Sequence, residues 1–481
     1  MMRRLSSAQS LACVLLLLVG ACAALADTIV LKNGRRIIAS NVVEEDGHVS
    51  YETPAGHLSL PKSIVDHIER GGVLPSRSGM SVPPLDIAPP TNGAVDASEE
   101  ISRGAVHEGR IDREYIAKLE LAARSGAAGA SDRAALAHHA AAQFELSRGN
   151  MEDTLAEERS ALNFAPRNPV LLVSVAYLYL RRGEYRESLE YLERARRVAP
   201  DSADIAQLAG WAWYGMNNLD QAISEWKRAL AIRPDAKVQA ALEKAQRDRA
   251  VEEDFKENES SHFTLRYHGG AEPELARDVL RTLEAHFTAI ESELDFTPRE
   301  PIGVILYTEE AFADISRAPS WVGALNDGRI RVPVQGLTAV SPELSRVLKH
   351  ELTHSFVTQK TVGRCPVWLQ EGLAQWIEGQ RSGENAAVLV KVYDDGQALP
   401  LGVLEGSWMR LPPDAAGYAY AWSLANVEYI IETNGMGDIT RILERIAAGD
   451  STEEALRTVL RTDYTELARS TAKYLRGSYV H

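Results

Sequence analysis

The chain has 481 residues, 45% hydrophobic and 25% charged, enough to build several independent cores. With 67 acidic against 52 basic residues its formal net charge is −15, which disfavours nucleic acid or any other polyanion as a partner. Only three cysteines occur, Cys13, Cys22 and Cys365, too few for a disulfide-held scaffold.

Arg3 and Arg4 precede an apolar run from Leu11 to Val19 and then small residues. This reads as a secretory signal peptide over residues 1–26, too short to span a bilayer, so the chain is expected in the periplasm or outside the cell. Two processing sites compete. Ala24-Leu25-Ala26 before Asp27 fits release of a soluble protein, whereas Val19-Gly20-Ala21-Cys22 resembles a lipobox that would put a lipid anchor on Cys22. A strand starting at Thr28 leaves almost no spacer after Cys22 and favours release. Starting at Asp27, the chain loses two arginines and no acids and reaches −17. No membrane span remains in it, and Cys365 has no partner for an intrachain disulfide.

Residues 27–72 alternate apolar and polar side chains between the turns Asn33-Gly34, Asp46-Gly47 and Pro54-Ala55-Gly56, which predicts a small all-β module. Residues 73–104 are rich in Pro, Ser and Gly and read as a linker. Residues 105–250 read as helical, and between Ala135 and Pro234 a period of 34 residues emerges. Pro166, Pro200 and Pro234 recur in register, as do Ala161, Ala195 and Ala229, and Gly149, Gly183 and Asn217. This spacing resembles tetratricopeptide repeats, helix pairs that stack into a solenoid. Such a solenoid either offers a groove to a peptide or protein partner or braces the domain that follows. The polar run from Glu252 to Ser260 reads as a spacer between the two, which favours the first reading.

In residues 251–481, Ser261 to Tyr267 and Ile302 to Tyr307 read as strands flanking a helix from Glu272 to Glu293. Asp327 to Val334 reads as a turn and a short strand, which Pro333 assigns to a sheet edge because proline has no ladder donor. Ser341-Pro342-Glu343 then gives a helix start, with a capping hydroxyl, proline at the first position and an early acid. Leu344, Val347, Leu348, Leu352 and Phe356 follow at helical spacing. On that helix His350 and His354, four residues apart, project from one face, so both rings can reach a single metal at about 2.0–2.1 Å. Glu351 stands off the metal axis, placed to take a proton from an attacking water.

His350-Glu351-Leu352-Thr353-His354 followed by Trp368-Leu369-Gln370-Glu371-Gly372-Leu373-Ala374 resembles the gluzincin metallopeptidases, in particular the bacterial group similar to peptidase MA. The resemblance makes Glu371, on the second helix, the third ligand of one Zn2+ per chain. It also implies a tyrosine that donates to the tetrahedral intermediate. Within Gly417 to Ser423, Tyr420 fits the Y-x-x-S pattern best and Tyr418 is the other candidate. In such peptidases the strand before the metal helix is an edge on which substrate pairs, which would be Arg331, Val332, Pro333 and Val334 here. Trp368, Leu369 and Trp376 read as core, Gly372 as a point of close helix approach beside the metal, and Cys365 as packing.

The resulting expectation is a multidomain chain: a small all-β module, an α-helical tetratricopeptide solenoid, and an α+β zincin-like metallopeptidase domain with a helical C-terminal part. Its expected activity is zinc-dependent hydrolysis of a peptide or protein substrate, with the repeats recruiting substrate or a partner. The competing reading is a repeat-based scaffold of the cell envelope with a vestigial zinc site.

Overall fold

The computed structural model describes residues 25–32, 36–45, 47–53, 56–73, 80–81, 98–268, 273–307, 325–326, 328–334, 337–408, 411 and 413–480. The apolar run Leu11 to Val19 and Cys22 lie outside the described residues. No helix among the described residues is long and apolar enough to cross a membrane.

Five strands, β1 (Leu25–Leu31), β2 (Arg36–Glu45), β3 (His48–Thr53), β4 (Gly56–Pro61) and β5 (Val65–Val73), form an antiparallel sheet in the order β4-β3-β2-β1-β5. Ile29, Val42, Val49, Tyr51 and Val65 make its core. β1 begins two residues ahead of Asp27, and Leu25 and Ala26 pair with Val73 and Gly72.

The stretch read as a linker carries structure at two places. Met80–Ser81 form a short strand, β6, in the sheet of the C-terminal domain. Helix α1 (Ser98–Ala105) buries Ile101 and Ala105 against Ile116, Ala137 and Ala141 of the helical region. Two residues of strand are too short to show a periodicity in sequence.

After a ribbon of β7 (Val106–His107) and β8 (Arg110–Ile111) and helix α2 (Arg113–Arg124) come three antiparallel helix pairs. These are α3 (Ala130–Ser147) with α4 (Met151–Phe164), α5 (Pro169–Arg181) with α6 (Tyr185–Arg196), and α7 (Ala203–Gly215) with α8 (Leu219–Ile232). Helix α9 (Ala236–Glu252) closes the stack. Asn168 and Ser202 cap α5 and α7, and Gly149, Gly183 and Asn217 turn the chain within each pair at φ +82°, +74° and +59°. Those left-handed turns explain why the 34-residue register carries Gly or Asn there.

The C-terminal domain is built on a six-stranded sheet in the order β6-β12-β13-β11-β10-β9. Its further strands are β9 (Phe255–Glu259), β10 (Phe263–His268), β11 (Ile302–Tyr307), β12 (Leu325–Asn326) and β13 (Ile330–Pro333). Helix α10 (Pro273–Leu294) connects the parallel pair β10 and β11. Helices α11 (Pro342–Lys360), α12 (Val367–Glu378), α13 (Ala386–Asp394), α14 (Pro413–Asn434), α15 (Met436–Ala447), α16 (Thr452–Leu460) and α17 (Tyr464–Ser478) complete it. Sheet and helices share one apolar core.

Two expectations change here. The polar run after Glu252 is not a spacer, because Phe255–Glu259 pair antiparallel with β10 as the far edge of the sheet. A solvent-facing edge strand carries the same charged residues as a linker and is easily read as one. Nor is β13 an edge where it carries Arg331: β11 pairs with it on one side, and Leu325 and Asn326 of β12 pair with Arg331 and Ile330 on the other.

The repeats are packed onto this domain. Arg329 and Arg331 are 1% and 0% exposed and reach Asp248 and Glu252 of α9, with Arg331 Nη2 2.8 Å from Asp248 and Arg329 Nη2 2.6 Å from Glu252. The Tyr307 hydroxyl donates to Glu252 at 2.7 Å, and Arg331 donates to Tyr307 and, across the interface, to Tyr214 of α7. All three turns in the 34-residue register meet the C-terminal domain: Gly149 lies against Arg364 and Gly449, Gly183 against Gln359, and Asn217 against Gly303.

Candidate metal centre

Helix α11 starts where the sequence places it, with the Ser341 hydroxyl accepting from Leu344 N and proline in the first turn. Its two histidine rings lie 4.7 Å apart, centre to centre. Helix α12 brings up Glu371, whose Oε2 is 3.4 Å from His350 Nε2 and 3.5 Å from His354 Nε2. Among the described residues His350, His354 and Glu371 are a group able to hold a metal ion, with ligand atoms all within 4.8 Å of one another. Two imidazoles and one carboxylate are a donor set used by catalytic zinc.

The group is fully buried, with His350, Glu351 and His354 at 0% exposure and Glu371 at 1%. Both ring nitrogens of His350 and His354, and both carboxylate oxygens of Glu351, have no hydrogen-bond partner among the described residues. Buried polar atoms left without partners are costly unless something binds them, so the residues present fit a cation. Burial, with Glu371 and Glu378 nearby, pushes the Glu351 carboxyl up to about 8 despite His350. Burial alone would raise Glu371 too, but His354 and His350 bring it down to about 2, so it carries its charge in the site. His354 is held below the usual histidine range by burial; for His350, Glu378 and Glu371 outweigh burial and raise it.

Three further residues hold this geometry. Glu378 Oε2 lies 3.5 Å from His350 Nδ1, on the side of the ring away from Glu371. Asn326 Nδ2 of β12 donates to the Glu351 carbonyl and to Ser355 Oγ, each at 2.7 Å, fixing α11 against the sheet. Gln375 Nε2 donates to the carbonyls of Glu371 and Tyr420, both at 3.1 Å, joining α12 to α14. Sequence reading missed all three. Glu378 was within reach of it, because it lies seven residues beyond Glu371 and so on the same stripe of α12. Asn326 and Gln375 act across elements and leave no local signal.

Gly372 is a point of close approach, but toward α14: a Cβ there would lie 2.4 Å from the Ser423 carbonyl oxygen. That contact seats Tyr420 beside the ligands. Tyr420 is 4% exposed, packs edge-on against Trp408 at 5.1 Å, and is held neutral by burial and by the charges of Glu371 and Glu351. Tyr418 stacks on Trp422 at 6.2 Å and is raised by burial, without those two carboxylates acting on it. Residues two apart on a helix face different ways, and of the two it is Tyr420 on which the Glu371 and Glu351 charges act.

The expected substrate strand is not at this site. Arg331 is committed to Asp248 and Tyr307, Val332 and Val334 are buried at 2% and 6% exposure, and Pro333 ends the strand in register with Tyr307. The strand between β13 and the outer edge is β12. Cys365 is packed against the core and stands outside the ligand group.

The chain matches two family models, that of the Peptidase MA superfamily over residues 288–477 and that of the tetratricopeptide repeat over residues 179–245. Among curated proteins it is similar to the Protein CTR9 homolog of Arabidopsis thaliana, 31% identical over 94 residues, which are 19% of this chain and 9% of that protein. Among solved structures it is similar to the first TPR of Spaghetti (RPAP3) bound to the HSP90 peptide SRMEEVD, at 19% identity and TM-score 0.24, over 24% of this chain and 93% of that one. It is also similar to the first TPR domain of the human RPAP3 protein, at 19% identity and TM-score 0.23, over 24% and 92%. Residues 350, 351, 354, 371 and 420 all fall within the 288–477 match, and the chain thus carries tetratricopeptide repeats followed by a domain of the Peptidase MA superfamily.

Proposed function

We propose that the protein is an exported zinc-dependent metallopeptidase that hydrolyses peptide bonds in a peptide or protein substrate. The observation that carries this reading is the buried His350, His354 and Glu371 group with the unpartnered Glu351 carboxylate beside it. One zinc ion per chain, held by the two Nε2 atoms and the Glu371 carboxylate, would supply Lewis acidity and lower the pKa of a water. Glu351 receives the proton of the attacking water and delivers it to the leaving amine. Tyr420, kept neutral by its surroundings, donates its phenolic hydrogen to the oxyanion. Gln375, tied to the carbonyls of both Glu371 and Tyr420, keeps donor and ligand in register.

The repeats act in this reading as a brace. Every residue from Leu171 to Leu180 of α5 is buried, and α7 is buried from Ile205 to Ala212, so neither helix keeps an open face for a partner. Export rests on Arg3, Arg4 and the apolar run after them, and protein from the native envelope should begin at Asp27. A lipid-modified Cys22 in its place would make the protein membrane-anchored.

Metal analysis and peptide digestion by the purified protein test the chemistry. About one equivalent of zinc is expected, falling sharply in His354→Ala and Glu371→Ala. Glu351→Gln should keep the metal and lose at least roughly 100-fold in kcat. Full occupancy in both ligand variants, or unchanged turnover in Glu351→Gln, would refute the assignment. Metal bound tightly without turnover in any form would favour the scaffold reading.

A further inference from the structure

The outer edge of the C-terminal sheet is filled by the chain's own N-terminal segment. Met80 and Ser81 pair in parallel with Leu325 and Asn326 of β12. β6 also lies against both α11 and α12, and β4 of the N-terminal module lies against α11. β12 is coupled directly to the site, since Asn326 holds the carbonyl of Glu351. The strand that borders the reacting centre therefore offers its ladder groups to a peptide from the N-terminal segment.

Two observations make this more than a covered edge. A peptidase must admit an extended polypeptide to its metal and base, yet Glu351 and both histidines are 0% exposed in the intact chain. The stretch from Leu74 to Leu85 also differs from its surroundings in charge, with Arg77 alone and no acid, in a chain of net charge −15. An uncharged or slightly basic segment meets the carboxylates of Glu351, Glu371 and Glu378 without the repulsion that most of this acidic chain would bring.

We propose that the outer edge of β12 is a docking edge for an extended peptide and that Met80–Ser81 occupy it as an intramolecular competitor, so that the N-terminal segment restrains the activity of the intact protein. This rests on the peptidase reading for its consequence, though not for the docking itself. A ladder of two residues is weak by itself. Tethering supplies the rest, because a linked segment meets its site at an effective concentration of roughly millimolar. A restraint of that kind is released by cleavage in the Pro-rich stretch after Ser81, or by a substrate that pairs along more of the edge.

The test compares the full chain with Met80→Pro/Ser81→Pro, which removes both amide donors of β6. Met80→Ala/Ser81→Ala retains those donors and should behave as the parent. A fluorescent synthetic peptide of residues 76–85 should bind the proline variant and not the parent, whose edge is filled. Hydrolysis of an unstructured reporter peptide should rise about tenfold in kcat/KM, mainly through KM, if the docked form outnumbers the open one about ten to one. Should the proline variant fail to fold, a site-specific protease sequence inserted after Leu85 and cut after purification opens the same edge in folded protein. Peptide binding without hydrolysis in any form would uphold the docking edge and refute the peptidase reading. Equal hydrolysis in opened and parent proteins, with no peptide binding to either, would overturn the proposal.

Discussion

His350 stands between two carboxylates, with Glu371 Oε2 3.4 Å from Nε2 and Glu378 Oε2 3.5 Å from Nδ1. A carboxylate behind a metal-ligating imidazole fixes its tautomer and orientation and raises its basicity. Glu378→Ala should accordingly weaken zinc binding by roughly 10–100-fold in chelator competition, with Glu378→Gln intermediate. Unaltered affinity in both variants would show that the ring is oriented by packing alone. A second histidine makes a different kind of contact. His138 Nδ1 lies 2.7 Å from Glu157 and Nε2 2.9 Å from Glu120, and only the imidazolium can donate from both nitrogens. Burial would lower its pKa, but Glu157 and Glu120 raise it, while His138 and Arg113 overcome the effect of burial on Glu157 and depress that carboxyl. The raised histidine stabilises the fold fully below its unfolded pKa of about 6.5 and loses this as pH rises through its folded value; the depressed glutamate contributes above about 4.5 and loses this as pH falls. The stability of the parent relative to His138→Gln should thus be greatest near pH 5–6 and shrink toward pH 8. A difference in melting temperature that stays flat across that range would count against the pairing.

Between elements, the contact that matters most to the site is α12 against α14. Gly372 permits it, because any Cβ there would strike the Ser423 carbonyl. Gly372→Ala must push α14 outward and with it Tyr420. Overpacking of this kind costs about 1–3 kcal/mol, visible as a lower denaturation midpoint. On the proposed chemistry kcat should fall while zinc affinity changes little, since Glu371 and both histidines lie on the other two helices' shared side. An alanine variant as active and as stable as the parent would show that the helices can relax without moving the phenol.

At the scale of the molecule, the repeats and the C-terminal domain are joined by groups that neither can leave exposed or unpaired. Asp248 and Glu252 are buried on α9, and their counter-charges, Arg329 and Arg331, come from the other side of the interface. Burial would raise Asp248, but Arg331 and Arg329 outweigh it and keep it ionised. Removing one half of such a cluster leaves buried charge without compensation, worth about 3–5 kcal/mol. Deleting Ala135 to Pro234 leaves Asp248 and Glu252 in place but removes Tyr214, which accepts from Arg331, all three docking turns and the helices that pack against α9, and so should lower the melting temperature and reduce hydrolysis of short peptides and proteins together. Intact peptide hydrolysis with loss on a protein substrate alone would return the repeats to a recruiting role.

The sequence by itself determined what is local or periodic. The two histidines share a face because they are four residues apart on a capped helix, and the 34-residue register fixes helix pairs and their left-handed turns, each written within a short stretch of chain. Glu371 was legible through its motif. Tertiary structure alone decided which side chains these elements meet. Arg331 reads as an exposed edge residue, since nothing near it in sequence reveals Asp248, 83 residues away. Residues 171–180 of α5 and 205–212 of α7 are buried on every side, which their local pattern does not foretell, and the linker yields a strand only because β12 offers it unpaired ladder groups. Hydrogen-bond ladders between strands and charge pairs across an interface depend on distances in space, which the order of residues does not encode locally.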